Sequence, residues 1–288
     1  GYQHICVPLI DIPRPGWRYW LTLGRSQRFL LAPIDHIVSI DNLLLCRTEP
    51  LPQLLLTMEE KLTMLQFKAG LMYLGPGKST AHDALSATID EVSSGFLEFM
   101  WFLGDIVELS GWSRYRAGLD AEKGTTGHYS LYTNHSDYEI MFHVAPLLPF
   151  NPIDFQRIER KRHIGNDILV IVYHDSELPY DISTITSKQN HIICIVKPEQ
   201  NQYRVEFLAR ESVPSFGPLW SAPFHLSQNN QSRELFLEKC ISGIKAAYTA
   251  PAFSDKIQKT RLAMLQGIHQ QCLPNSLSAR SRFATSLF

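Results

Sequence analysis

The sequence predicts an α/β protein, with a central mixed β-sheet flanked by helices and a smaller N-terminal α+β domain. Three observations favour this class. In the second half of the chain, short apolar runs alternate with amphipathic helical patterns, as they do in α/β domains. The run 168–173 is apolar at nearly every position, which is typical of a strand covered on both faces. Hydrophobic residues make up 44% of the 288 residues and aromatic residues 11%, which is enough for a large buried core.

The first hundred residues are predicted to hold short strands followed by helices. Helical spacing of apolar residues defines the helices, and Gly104 supplies a stop signal for the second of them. In chain order, the predicted elements are a hairpin (17–23 and 28–31), a helix (54–65), a short apolar run (67–74) and a helix (96–103). We assign residues 1–108 to the smaller domain.

Residues 109–273 are predicted to form the larger domain, which begins with loops and short strands rich in Gly, Tyr and Thr. Asn151 is a suitable N-cap residue for the first helix of this domain, with Pro152 at the first helical position. The predicted elements are a strand (138–148), a helix (152–162), two buried strands (168–173 and 192–196), an edge strand (203–208) and two amphipathic helices (233–248 and 254–270). Residues 274–288, rich in Ser and Arg, are expected to form a flexible tail.

The charge balance and the cysteine pattern limit the partners of the protein. A formal net charge of −1 argues against general nucleic-acid or membrane-surface binding, so any basic site must be local. No apolar run approaches the ~18 residues that a membrane span needs, and no signal peptide is visible. Five scattered cysteines without a C-x-x-C pair suit a reducing compartment. We therefore expect a cytoplasmic protein that reaches membranes only through a partner or through flanking domains.

Motifs for nucleotide or metal binding by the chain itself are incomplete. The segment 75–80 resembles the end of a phosphate-binding loop, but Met72 stands where that loop needs its first Gly. The eleven histidines do not show metal-ligand spacing, and His143 is expected to be a hydrogen-bonded core residue within its strand. Asp120 and Asp167 stay open as a carboxylate pair, because the sequence does not show whether they meet. We expect no cofactor and no metal of the chain's own.

The most informative stretch begins at Glu159 with a basic cluster, 160–163, followed by the uncharged amide of Asn166 and then by the apolar run 168–173. The cluster lies where a helix is expected to meet a sheet, which is the edge at which open α/β folds place their sites. Cations there favour an anionic partner, such as a phosphate or a phosphate-bearing protein. An Asn among them can orient a water without itself titrating. The alternative is a solvated helix end whose cations interact with the helix dipole.

Three strings in this chain resemble the GTPase-activating domain of the Rap GTPase-activating protein family, which extends to tuberin and the Ral-activating proteins. They are 139–150 (EIMFHVAPLLPF), 160–170 (RKRHIGNDILV) and 213–218 (VPSFGP). The second string is highly specific, and the three occur in the family's order. The resemblance covers roughly residues 65–270 and is weaker before residue 65.

The resemblance implies that the larger domain has a G-domain-like fold and activates a small GTPase of the Ras superfamily. A Rap-type GTPase is favoured, with Ral and Rheb types as alternatives. Ras-type activators supply an arginine finger while the GTPase's own Gln positions the attacking water, but Rap-type GTPases lack that Gln. This family inserts an asparagine, the "Asn thumb", which by motif match is Asn166 here. The chain is then an activator that completes the active site of its partner, and the partner brings GTP and Mg²⁺.

The residues around Asn166 acquire roles from the same resemblance. His163, three residues earlier, is expected to share a helical face with Asn166 and to brace it. Asp167 has an alternative role as a cap of the helix-to-strand turn. The residues expected to contact the GTPase are the remaining members of the string: Arg160, Lys161, Arg162, Gly165 and Asp167.

The chain departs from the family pattern at two places. Ala145 and Pro146 stand where relatives usually carry Ser and Thr, and Gln189 stands where they usually carry Phe. These changes lie outside the thumb, so they bear on partner preference and efficiency more than on mechanism. They leave open a second function, a non-catalytic GTPase-binding or dimerising module with the same fold. The smaller domain supports homodimerisation in relatives, so a homodimer is a further expectation.

Overall fold

The computed structural model describes residues 49–220 and 223–284, except for the side chains of 273–284. Contacts divide the chain into two units, Met64–Lys256 on the one hand and Gly1–Thr63 with Ile257–Phe288 on the other. The hairpin predicted within 17–31 lies outside the described residues. No helix among the described residues combines the length and the apolar character that a membrane span requires.

The unit Met64–Lys256 is built on one mixed sheet of eight strands. In chain order the strands are β1 Gln66–Leu74, β2 Asp105–Glu108, β3 Tyr129–His135, β4 Tyr138–Val144, β5 Leu169–His174, β6 Ile192–Glu199, β7 Gln202–Ala209 and β8 Phe224–Ser227. Their order across the sheet is β2-β3-β4-β1-β5-β6-β7-β8. The four central strands, from β4 to β6, are parallel, and the pairs outside them are antiparallel. This confirms the predicted α/β class with a mixed sheet.

Helices cover the two faces of this sheet. The α-helices of the described chain are α1 Pro50–Leu62, α2 Ala81–Ser86, α3 Ser94–Leu103, α4 Ile158–Ile164, α5 Asn230–Tyr248 and α6 Pro251–Ala284. Successive side chains of β1 point to opposite faces, with Leu71 and Tyr73 in one core cluster and Met72 and Leu74 in the other. The first cluster includes residues of α3 and α5, and the second includes residues of α2 and α4. Both faces are therefore buried, as the apolar strands require.

Helix α1 belongs to the other unit, together with the part of α6 that follows residue 256. Its buried apolar contacts are made by Met58, Ile268 and Cys272. Helix α6 is longer than the predicted helix 254–270, because it continues to Ala284. It therefore includes most of the segment expected to be a flexible tail.

The predicted domain boundary at residue 108 does not coincide with a division of the described fold. Strand β1, which the prediction placed in the smaller domain, is hydrogen-bonded between β4 and β5. Helix α3 packs in the same core cluster as α5. A central strand satisfies its backbone groups on both sides only within one sheet, so these elements belong to the larger unit. Much of the expected N-terminal domain falls on residues 1–48, which are not described.

The helix predicted at 152–162 begins later, at Ile158. The segment before it is a loop, in which Asn151 accepts a hydrogen bond from the backbone N–H of Ile153 at 3.0 Å. Asp154 accepts one from the N–H of Ile158 at 2.6 Å, so Asp154 satisfies the first turn. Arg157 has a φ of 55°, a left-handed conformation that interrupts a helix. Asn151 is therefore a turn residue and not the N-cap.

Two strand predictions also need correction. The strand predicted to reach residue 148 ends at Val144, and Ala145–Leu147 forms a 3₁₀ turn because Pro146 cannot donate to a ladder. The segment 203–208 is not an edge strand, because β7 pairs with β6 on one side and with β8 on the other. Strand β8 has only four residues, and the sequence pattern did not predict it.

Candidate functional site

Asn166 lies in a tight turn between the end of α4 and the start of β5, here called the Asn166 turn (residues 164–167). Its side chain is exposed. The side-chain amide nitrogen donates to the carbonyl of Arg162 at 2.7 Å, and its backbone N–H donates to the carbonyl of His163 at 3.0 Å. The side-chain contact orients the amide while using one of its two N–H groups.

The backbone of the Asn166 turn is held from the side by two polar residues that precede β6. The buried amide of Asn190 donates to the carbonyl of Ile164 at 2.9 Å and to that of Asp167 at 2.6 Å. The hydroxyl of Ser187 donates to the carbonyl of Gly165. Three carbonyls that flank Asn166 thus have fixed side-chain donors, which restricts where its amide can point.

Arg210 holds these two donors in turn. Its guanidinium donates to the backbone carbonyl of Asn190 at 2.9 Å and to that of Ser187 at 2.8 Å. The hydroxyl of Ser187 also accepts the N–H of Gln189 at 3.1 Å. Gln189, one of the departures from the family pattern, therefore takes part through its backbone.

Under the turn, Asp167 is buried against a histidine and a lysine from neighbouring strands. Its carboxylate lies 2.8 Å from His143 Nδ1 and 3.5 Å from Lys68 Nζ. The other ring nitrogen of His143 lies 3.1 Å from the carbonyl of Ala117. Both nitrogens face acceptors, so each contact is a hydrogen bond when that nitrogen carries a hydrogen. His143 is thus the hydrogen-bonded core residue that was expected.

His163 packs on this buried layer, with its ring centroid 5.1 Å from that of His143. Burial lowers the pKa of His163 to about 4, with further lowering from the nearby His143, Arg162 and Lys68. The ring is therefore neutral at physiological pH. Its link to Asn166 is the backbone hydrogen bond from Asn166 to the His163 carbonyl, because Asn166 lies beyond the end of the helix.

Arg160 was expected to contact a partner, but it is buried, with 2% of its surface exposed. Its guanidinium donates to four backbone carbonyls at 2.6–3.2 Å, those of Leu85, Ala87, Leu148 and Pro149. Burial lowers its pKa to about 10, with a contribution from Arg157, so it remains a cation. Arg160 joins α4 to the end of α2 and to the segment after β4, and its role is structural.

Two more residues of the predicted contact set have internal roles. Asp167 is fully buried, which agrees with its alternative role in the helix-to-strand turn. A Cβ on Gly165 would lie 2.5 Å from the carbonyl of Lys161, so this position excludes any larger residue for a reason within the chain itself. Of the predicted site residues, Lys161, Arg162 and Asn166 are exposed, whereas His163 and Gly165 are half-buried. Arg162 forms an exposed pair with Glu159 at 3.0 Å.

A groove of about 690 Å³ runs beside α4, and Asn166 is part of its wall. Its apolar lining includes Met72, Leu85, Ile158 and Ile164. A smaller depression of about 140 Å³, lined by Lys68 and Tyr248 among others, is also bounded by Asn166. The amide thus stands between two concave surfaces.

The other candidate motifs do not form sites. The carboxylate of Asp120 accepts hydrogen bonds from its own loop, including the N–H of Lys123 at 3.0 Å, whereas Asp167 contacts His143. The Lys78 N–H bonds to the Gly75 carbonyl at 3.2 Å, which makes this segment a turn after β1. Among the described residues, no group of His, Cys, Asp and Glu is arranged to hold a metal ion.

Several residues of the site were not found from the sequence as parts of it: Lys68, His143, Ser187, Asn190 and Arg210. Each is more than 20 residues from Asn166 in the sequence, and only the fold brings it to the site. A pattern of neighbours cannot identify them, because β1, β4, β6 and β7 come together only in the sheet.

Comparisons with known proteins point to one family. The sequence profile of the Rap/ran-GAP family matches residues 84–262. The chain is 37% identical over 236 residues to the GTPase-activating Rap/Ran-GAP domain-like protein 3 of Gallus gallus, covering 79% of this chain and 26% of that protein. It is 35% identical over 271 residues to the signal-induced proliferation-associated protein 1 of Homo sapiens, covering 90% of this chain and 26% of that protein.

The chain thus spans about a quarter of the length of these curated relatives. Among solved structures, the TSC2 GAP domain superposes with a TM-score of 0.55 at 23% identity, covering 66% of this chain and 99% of that domain. At this identity the likeness concerns the fold, and it agrees with the mixed sheet described above.

Proposed function

The chain belongs to the Rap/ran-GAP family, and on this basis we propose that it stimulates GTP hydrolysis by a small GTPase of the Ras superfamily, of Rap type, by presenting Asn166 to the partner's active site. The observation that carries the proposal is the exposed amide of Asn166 on a turn whose backbone is held by Asn190 and Ser187. A catalytic amide supplied to another protein must be accessible and already oriented.

An amide suits the chemistry of this step. Phosphoryl transfer to water depends on positioning the nucleophile in line and on stabilising charge on the γ-phosphate. The Asn166 side-chain oxygen accepts a hydrogen bond from the attacking water and so directs its lone pair toward phosphorus. The amide carries no charge, so it does not repel the phosphate, as a carboxylate would. The GTPase supplies GTP and Mg²⁺.

The surroundings of Asn166 support the same role. Lys161 and Arg162 are exposed on α4, where they can contact acidic groups of a GTPase or its phosphates. His163, neutral and half-buried, supports the turn without adding charge. Activators that use an arginine finger accelerate hydrolysis about 10³- to 10⁵-fold, and we expect an effect of that order here.

Single-turnover GTP hydrolysis by purified Rap, Ral and Rheb GTPases tests the proposal. We expect strong stimulation of Rap by the wild-type chain, and its loss in Asn166→Ala and in Asn166→Asp. Asn201→Ala is the matched control, because Asn201 is also exposed but lies between β6 and β7, away from the Asn166 turn. Circular dichroism establishes that each variant is folded.

The outcomes separate the proposal from the alternative of a non-catalytic module. Stimulation that survives Asn166→Ala would exclude Asn166 as the catalytic group. A folded wild-type chain that binds a GTPase without stimulating any of the three would support a binding module. Stimulation of Ral or Rheb in place of Rap would keep the mechanism and change the partner.

A further inference from the structure

Large apolar side chains project into solvent immediately before α4 and at its first residue. Ile153 is 79% exposed, Phe155 78% and Ile158 56%. Single exposed apolar residues are common, but three within six positions form a patch, and such patches mark contacts with partners. We call residues 150–158 the apolar loop.

The apolar loop is held in one conformation by its own hydrogen bonds and by its neighbours. Asp154 accepts from the N–H of Ile158 at 2.6 Å and from that of Gln156 at 3.2 Å. The guanidinium of Arg157 donates to the carbonyl of Asn151 at 3.1 Å and also to that of Asp154. Because the backbone of the loop is already ordered, binding pays less conformational entropy than it would for a flexible loop.

A contact from α2 joins the apolar loop to the groove beside Asn166. A ring nitrogen of His82 lies 2.8 Å from the carbonyl of Phe155, and His82 and Ile158 both line the groove that Asn166 also lines. At a rise of ~1.5 Å per residue, α4 runs roughly 9 Å from Ile158 to Ile164, and Asn166 follows two residues later. A standard interface of about 800 Å² per partner corresponds to a disc roughly 16 Å in radius. A protein centred on Asn166 would therefore cover part of this loop.

We propose that Ile153 and Phe155 of the apolar loop form a second contact for the GTPase, which they bind through an apolar surface next to its nucleotide site. This inference rests on the proposed function. The face then combines Phe155 with Arg162, and aromatic residues and arginine are both enriched at protein interfaces. The loop contributes affinity and partner choice, whereas Asn166 contributes the chemistry.

The test separates affinity from rate. Single-turnover rates are measured against the concentration of the chain, with GTP-loaded Rap or whichever GTPase the wild type stimulates. For the double variant Ile153→Ser, Phe155→Ser we expect the half-saturating concentration to rise about tenfold. The maximal rate should change less than twofold, because Ser187 and Asn190 hold the Asn166 turn independently. Trp101→Ser is the matched control, since Trp101 is 65% exposed on α3, which packs on the opposite face of the sheet.

An unchanged half-saturating concentration in the double variant would overturn the inference and leave the proposed function intact. Sedimentation velocity measures whether the chain self-associates. If the double variant loses self-association while its half-saturating concentration stays unchanged, the apolar loop contacts a second copy of this chain, and the inference is overturned. If the wild type stimulates no GTPase, its affinity for Rap bound to a non-hydrolysable GTP analogue is measured by titration. Binding weakened by the double variant would then support the loop contact although the catalytic proposal had failed, and absence of binding would overturn both.

Discussion

The side-chain amide of Asn190 lies 2.6 Å from the backbone carbonyl of Asp167, the residue that follows Asn166. The same nitrogen lies 2.9 Å from the carbonyl of Ile164. One buried amide thus joins the end of α4 to the start of β5, with Asn166 between the two contacts. The orientation of the exposed amide depends on this internal one, as positioning of a catalytic group generally depends on the residues behind it.

We expect Asn190→Ala to lower the maximal rate of stimulated hydrolysis about tenfold or more while the half-saturating concentration stays within about twofold. The physical reason is that two carbonyls of the turn each lose a side-chain donor, so the Asn166 turn relaxes; displacements of about 1 Å can cost 10²-fold in rate. Single-turnover kinetics measure both quantities. A variant that is less stable to urea but keeps the wild-type maximal rate would show that Asn190 has only a structural role.

Arg160→Lys is expected to destabilise the fold by about 3 kcal/mol, because a lysine cannot reproduce the fork of donors that binds four buried carbonyls. Urea unfolding measures the change. Arg162→Lys is the matched control, since the Arg162 side chain is 58% exposed and its stability effect should stay within about 0.5 kcal/mol. Equal effects of the two substitutions would contradict the structural role of Arg160.

His163 should make stability depend on pH between its two pKa values. Its pKa is 6.5 in an exposed state and about 4 in the fold, because burial disfavours the cation. Between these two pH values the unfolded chain binds a proton that the folded chain does not. The contribution of the neutral His163 ring to folding stability is therefore complete above pH 6.5 and is lost as the pH falls toward 4. We expect a loss on the order of 2 kcal/mol, reduced by the partial exposure of the ring.

Urea unfolding of the wild type and of His163→Gln at pH 7 and pH 5 isolates this effect. The wild type should lose more stability than the variant between the two pH values, since glutamine does not titrate. The same pH dependence in both proteins would mean that other groups account for it.

Periodicity was sufficient for the elements that are apolar and continuous. Strand β5 and helix α3 lie where a continuous apolar run and helical spacing predicted them, because a buried strand or a helix facing the core needs apolar residues at positions set by its own geometry. The start of α4 was misplaced, because Pro152 is compatible with a first helical turn and also with a loop. The left-handed backbone of Arg157 excludes the earlier helical start, and an arginine does not predict a left-handed conformation.

Charge patterns did not distinguish surface cations from buried ones. Arg160 and Arg162 are two positions apart in the same basic string, yet Arg160 binds four carbonyls and Arg162 faces solvent. The difference arises because Leu85, Ala87, Leu148 and Pro149 converge on one side of α4. Those residues come from segments before and after β4, so their meeting point is a property of the assembled layers.

The α/β class and the family could be inferred without coordinates, since each depends on residue types at close spacing along the chain, and the proposed role of Asn166 comes from the same string of residues. The coordinates were needed to find that β1 is a central strand, that Asp167 and Arg160 are internal, and that Asn190, Ser187 and Arg210 hold the Asn166 turn. Burial and hydrogen bonding depend on which distant segments pack together, and short-range sequence patterns do not predict those contacts.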